Sequence, residues 1–182
     1  MKSLVLGGVK SGKSRYAENC VKAFIAKHPL SGDSVCLIAT AEALDDAMLK
    51  RIENHKQQRP DTWSIIEEPI NLASAVLAAE KTSKIILIDC LTLWLTNLLM
   101  LEDESKLNNE IETFLQAASD CTAELVIVSN ETNMGIMPLG DLTRDYCDKA
   151  GTLHQSLAEV CDQVSLVVAG LPLFLKSPIV QE

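Results

Sequence analysis

Residues 4–18 read LVLGGVKSGKSRYAE. Gly7, four further residues, then Gly12, Lys13 and Ser14 match G-x-x-x-x-G-K-[ST], the pattern of a phosphate-binding loop. That pattern carries meaning only where a strand leads in and a helix leads out. Here Ser3–Leu6 is a short β-rich run, and Tyr16, Ala17, Cys20, Val21, Phe24 and Ile25 recur with the period of a helix face. Both conditions are met. Across Gly7, Gly8, Val9, Lys10, Ser11 and Gly12 the backbone N–H groups of such a loop turn inward around phosphate oxygens. The helix N-terminus adds partial positive charge, Lys13 reaches the outer phosphates, and the Ser14 hydroxyl can ligate Mg²⁺.

Outward from the loop the chain alternates between two periods. Apolar, β-rich runs lie at 3–6, 35–39, 84–88, 124–128 and 164–168, each apolar on both faces as in strands covered on both sides. Helical periodicity fills about 45–58, about 70–81, two segments between 91 and 121, and about 141–162. Right-handed crossovers of this kind predict an α/β fold, a three-layer P-loop NTPase domain with a largely parallel sheet flanked by helices. Neither repeat, low-complexity tract nor linker divides 1–182, so one domain is expected. The QRPDTW stretch at 58–63 reads as a turn that ends a helix.

Composition narrows the function. Sixteen basic against 25 acidic residues give a net charge of −9, which opposes a sequence-independent grip on nucleic acid or an anionic membrane and favours small-molecule substrates. The greasy stretch IILIDCLTLWLTNLLML at 85–101 is interrupted by Asp89, two threonines and Asn97, so no membrane span is expected. Cys20, Cys36, Cys90, Cys121, Cys147 and Cys161 lack C-x-x-C spacing and read as buried thiols of a reducing compartment. With no export signal visible, a cytoplasmic location is expected.

A triphosphate site needs a second metal ligand, and KIILIDC supplies Asp89 at the end of a β-rich run, with a helix cap as the competing role. Asn130 and Glu131 end the fourth run, where an acceptor enters an open α/β sheet, or where a turn begins. Trp63 and Trp94 read as core or interface, and the stripe Leu91, Leu95, Leu98, Leu99 as a buried or subunit-facing helix. In the helix expected over 45–58, Met48, Ile52 and His55 share a face, with Arg51 one turn back and Arg59 just past the end. Neighbouring cations keep an imidazole neutral and nucleophilic, yet the same spacing suits a solvated helix face. His28 reads as a helix-end residue and His154 as a surface or packing residue.

Four further stretches, IATAEALDDAMLKRIENHKQQRP, IDCLTLWLTNLL, VSNETNMGIMP and VVAGLPLFLK, follow the loop in that order. With it they closely resemble the bifunctional adenosylcobinamide kinase and adenosylcobinamide-phosphate guanylyltransferase family of cobalamin assembly, over nearly the whole chain. The resemblance implies a homo-oligomer that uses ATP or GTP with Mg²⁺, phosphorylates adenosylcobinamide, and transfers GMP through a guanylylated histidine. It implies that Asp89 is the metal acid and His55 the residue that takes up GMP. It further implies nucleotide contacts at Ala39, Thr40, Ala41, Lys56, Gln57, Gln58, Arg59 and Glu67. One departure is visible: Glu131-Thr132-Asn133-Met134-Gly135 stands where the family commonly reads Glu-Val-Gly-Met-Gly, so altered backbone freedom is expected at Asn133. Two other functions stay open on the residues alone, a kinase without guanylyl transfer and a nucleotide-sensing ATPase.

Overall fold

Alternation along the strands decides which side chains meet which helices. In the computed structural model, which describes residues 1–28, 30, 34–41 and 60–177, β1 (Lys2–Gly7) sends Leu4 and Leu6 to one face and Val5 to the other. β4 (Ile85–Asp89) divides Ile86 and Ile88 from Ile85 and Leu87, and β5 (Glu124–Asn130) divides Leu125 and Ile127 from Val126 and Val128. Two cores result, one on each face of the sheet. The larger packs α2 (Leu72–Glu80), α3 (Leu91–Met100), α4 (Glu104–Asp120) and α5 (Asp141–Val160). The smaller takes Ala17 and Val21 of α1 (Lys13–Lys27), together with Trp63. This is the expected three-layer arrangement.

Among the described residues seven strands form one sheet in the order β3-β2-β4-β5-β1-β6-β7, where β2 is Val35–Ala39, β3 Ser64–Glu67, β6 Gln163–Val168 and β7 Leu171–Lys176. All neighbours are parallel except β6 and β7. β5 therefore lies between the strand that feeds the phosphate loop and the strand that ends in Asp89. The five runs expected as strands all appear, the one at 35–39 unchanged and the others with ends moved by no more than two residues.

Two strands were not expected. β3 is four residues long and mostly exposed, too short for a periodic signal. β7 contains Pro172, which argues against an interior strand, and β7 escapes that constraint as an edge strand. It follows β6 through the two-residue turn Ala169-Gly170, both at positive φ (52° and 82°) as a type I′ hairpin requires. The helix expected over 45–58 lies outside the described residues.

Trp94 is fully buried, stacks edge-on against Phe114, and donates its indole N–H to the Ile70 carbonyl at 2.7 Å. Leu91, Leu95 and Leu98 are buried in this chain's own core, so the stripe serves packing within the subunit; Leu99 is partly buried. Trp63 is core as well. All six cysteines are free thiols, and Cys36, Cys121, Cys147 and Cys161 are buried. Among the described residues no helix is long and apolar enough to cross a membrane.

Candidate active site

The phosphate loop runs from Gly7, the last residue of β1, to Gly12, which caps α1 in the left-handed region at φ 93°. A side chain at Gly12 would be strained there and would also come within 3.1 Å of the Gly170 Cα. The loop closes on itself, with the Ser11 N–H donating to the Gly8 carbonyl at 3.2 Å and the Tyr16 N–H to the Gly12 carbonyl at 2.9 Å. Lys13 is buried, and its Nζ reaches back to the Gly8 carbonyl at 3.4 Å. The Ser11 hydroxyl is buried with no hydrogen-bond partner, although such an atom costs on the order of 1–3 kcal/mol unless something bonds it. A phosphate oxygen is a fitting partner.

The β6–β7 turn braces this loop, because the Gly170 N–H donates to the Ser11 carbonyl at 2.8 Å. Sequence reasoning missed that contact. The signal was the Ala-Gly pair between two apolar runs, a weaker hairpin mark than Asn-Gly.

Along the carboxyl edge of the sheet, the remaining site positions fall side by side. Glu67 of β3 pairs with Ala39 of β2, and Ala39 pairs with Asp89 of β4; Asn130 of β5 pairs with Gly7. Strand alternation puts Asp89, following Ile85 and Leu87, on the face that carries α1, and Asn130, following Val126 and Val128, on the same face. Val9, Lys10 and Gly8 are exposed, Ser14 is partly exposed in the first turn of α1, and Ala41 is partly exposed just past β2. His55, Lys56, Gln57, Gln58 and Arg59 lie outside the described residues.

Local bonding further defines two of the expected site positions. Cys90, rather than Asp89, occupies the cap position of α3, so the Asp89 carboxylate is not spent on that helix. Thr40 is fully buried; its hydroxyl donates to the Cys90 carbonyl at 2.7 Å and accepts the Cys90 N–H at 3.0 Å, while Asn97 Nδ2 donates to the Thr40 carbonyl at 2.9 Å. Thr40 clasps the end of β2 to the residue after Asp89. Among the described residues no three of His, Cys, Asp and Glu converge on a metal cage. The Ser14 hydroxyl and Asp89 carboxylate are hard oxygen donors, which fits Mg²⁺, an ion that takes its other ligands from phosphates and water.

Behind the edge, His154 of α5 is buried against β5, its Nε2 2.8 Å from the Ser129 hydroxyl. Burial lowers its pKa, with the nearby Glu131 opposing; the Nδ1–Oε2 distance of 3.9 Å is too long for a hydrogen bond. The packing role expected for His154 is the one it has, and His28 ends α1 as expected. Asn133 is not among the positive-φ residues; it uses its side chain instead, donating from Nδ2 to the Cys147 carbonyl of α5 at 2.8 Å.

A strand, a braced glycine loop, a buried lysine at a helix start and an acidic strand end one strand away define a P-loop nucleotide-binding enzyme. The model of the family described as cobinamide kinase / cobinamide phosphate guanyltransferase matches residues 3–175, and the chain belongs to that family. It is 45% identical, over 97% of its length and 98% of the relative's, to the bifunctional adenosylcobalamin biosynthesis protein CobP of Pseudomonas aeruginosa. The bifunctional adenosylcobalamin biosynthesis proteins named CobU from Escherichia coli and Salmonella typhimurium are each 37% identical, over 97% of this chain and all of theirs. The chain is thus an enzyme of cobalamin biosynthesis with kinase and guanylyltransferase activities, and the readings as a kinase alone or a nucleotide sensor are set aside.

Proposed function

We propose that both reactions run on this one domain, at the carboxyl edge of the sheet, with a division of labour between the phosphate loop and His55. In the first, Lys13 and the loop amides hold an ATP or GTP triphosphate, and the hydroxyl on the aminopropanol arm of adenosylcobinamide attacks the γ-phosphorus. The bond from that phosphorus to the β–γ bridging oxygen breaks, leaving a nucleoside diphosphate and adenosylcobinamide phosphate. Ser14 and Asp89 would hold Mg²⁺, which when bound neutralises charge on the phosphate oxygens. In the second, a neutral His55 nitrogen attacks the α-phosphorus of GTP and pyrophosphate leaves. An oxygen of the cobinamide phosphate then displaces the imidazole, giving adenosylcobinamide-GDP.

One observation carries this reading: Lys13 and Ser14 open α1 on the same sheet face as Asp89. Ala39 and Glu67, in register beside Asp89, continue the edge away from the loop and suit contacts to the nucleotide, as do Thr40, Ala41 and Lys56–Arg59 by the family pattern. Several copies assemble, a reading favoured by the edge strand β7, where Leu171, Leu173, Phe174 and Leu175 are all exposed. Six free thiols suit the cytoplasm. Incubating the protein with adenosylcobinamide, GTP and Mg²⁺ and weighing the products tests the whole. Cobinamide phosphate followed by its GDP-linked form is expected, and the phosphate alone would remove His55 from the scheme.

A further inference from the structure

A cleft of about 500 Å³ opens between α3 and α5 under the loop that follows β5. Thr92, Thr96 and Leu99 line it from α3, Leu142 and Tyr146 from α5, and Ile136 from the loop. It reaches the reacting end of the sheet. The Thr92 hydroxyl accepts the Asn130 N–H at 2.8 Å, and Asn130 is in register with Gly7 of the phosphate loop. Tyr146 interacts electrostatically with Cys90 and Glu131, the residues that follow β4 and β5. The Asn133 bond to the Cys147 carbonyl pins the loop across the cleft.

We propose that this cleft is the acceptor site, taking the aminopropanol arm and one apolar flank of the corrinoid and delivering the hydroxyl across the ends of β4 and β5. The proposal rests on adenosylcobinamide being the acceptor. The lining chemistry selects the class of ligand, since hydroxyls of Thr92, Thr96 and Tyr146 alternate with Leu99, Ile136 and Leu142 and no charged side chain is among them. An anion such as a free triphosphate finds no counter-charge there, whereas an amide-bearing arm on a methyl-rich ring finds both kinds of partner.

Two unmet polar atoms flank the strand ends here. The Tyr146 hydroxyl, in the lining of the cleft, is buried without a hydrogen-bond partner, and so is Asn130 Oδ1 at the end of β5, on the α1 face. Burial pushes the Tyr146 pKa up to about 12; the Thr92 side chain moderates that rise without reaching hydrogen-bond geometry. The hydroxyl therefore stays protonated as a donor, and Asn130 Oδ1 can accept from an arriving hydroxyl. Ile136 of the lining is 99% exposed, and Met134 and Leu139 of the same loop are 74% and 93% exposed, apolar surface that the flat face of a macrocycle would cover.

Equilibrium dialysis of adenosylcobinamide, read by its visible absorbance, tests this beside GTP affinity measured on the same preparations. Leu142→Arg, which sets a charge across the mouth, should weaken corrinoid binding by roughly tenfold or more. Tyr146→Phe should weaken it about 3- to 10-fold, the effect of one hydrogen bond. GTP affinity should hold in both. If Leu142→Arg fails to fold, Tyr146→Phe and Thr96→Val decide. A parent and folded variants that bind cobinamide equally overturn the cleft while leaving the acceptor in place. Unchanged corrinoid affinity with altered sedimentation of Leu142→Arg assigns the cleft to contact between copies, and also overturns it. A parent that binds GTP but no cobinamide overturns the acceptor itself.

Discussion

Asp89 separates two roles that its position in the sequence leaves joined. Cys90 takes the cap position of α3 and strand alternation puts Asp89 on the α1 face, which favours the proposed role at the nucleotide end over a helix cap. Asp89→Asn should therefore lower Mg²⁺-dependent phosphorylation by on the order of 10²- to 10³-fold, as loss of a preorganised electrostatic group does. Its melting temperature should stay close to the parent's; a matching fall in both would return the residue to a structural role. His154 makes the opposite case, a titratable group used for packing. Its folded pKa lies below the ordinary value of about 6.5 because burial disfavours the charged ring, while Glu131 pulls weakly the other way. The unfolded chain then binds the extra proton first, so its contribution to stability is complete above about pH 6.5 and declines as pH falls through that value toward the folded pKa. His154→Gln keeps an amide within reach of Ser129 and cannot titrate. Thermal melts from pH 7.5 to 5.5 should show the parent losing stability relative to this variant, and parallel melts would contradict the buried neutral ring.

Among the elements, strongly periodic or doubly apolar segments were legible and the hairpin at the end of the chain was not. β1, β2, β4, β5 and β6 declared themselves because each is covered on both faces by helices, which demands continuous apolar runs. β7 has no such cover, carries Pro172, and turns on Ala169, a residue that rarely takes φ 52° and so gives no turn signal. Asn133 was expected to matter through its backbone and matters through its carboxamide, since a local motif cannot show a partner fourteen residues away on α5. The consequence of the missed hairpin is functional, because its Gly170 N–H holds the Ser11 carbonyl and its Cα sits against Gly12. At φ 82° a Cβ at position 170 is conformationally strained, and at 3.1 Å from the tip of the Arg15 side chain it obliges that guanidinium to shift. Gly170→Val should cost on the order of 1–3 kcal/mol of stability. It should also weaken GTP binding although position 170 touches no nucleotide. A destabilised variant with full GTP affinity would show the brace to be scaffolding only.

At the scale of the whole molecule, the proposed scheme sets on one sheet edge two reactions that differ in what the protein must supply. In that scheme both need a held triphosphate, so both depend on the loop that β1, α1 and the β6–β7 turn fix in place. In that scheme only guanylyl transfer takes a nucleophile from the chain, and His55, one of three histidines, has a sequence spacing shared by any solvated helix face, which is why only the family resemblance singled it out. The two substitutions should therefore separate the reactions. Lys13→Ala should lose both, by on the order of 10²- to 10³-fold in rate, because the buried cation proposed to hold the phosphates is removed from each. His55→Ala should keep much of the phosphorylation and lose GMP transfer. With α-labelled GTP and Mg²⁺ the parent should retain label as a phosphoramidate, labile in acid and stable in base, and γ-labelled GTP should leave none. Because neutral imidazole is the attacking form, labelling should quicken as pH rises through the histidine's pKa, near 6.5 when unperturbed, and then level off. His28→Ala and His154→Ala should still label, since the first ends α1 and the second is packed against Ser129. Label that persists in His55→Ala, or that survives acid, would place the nucleophile elsewhere on the chain while leaving the phosphate loop and its kinase step untouched.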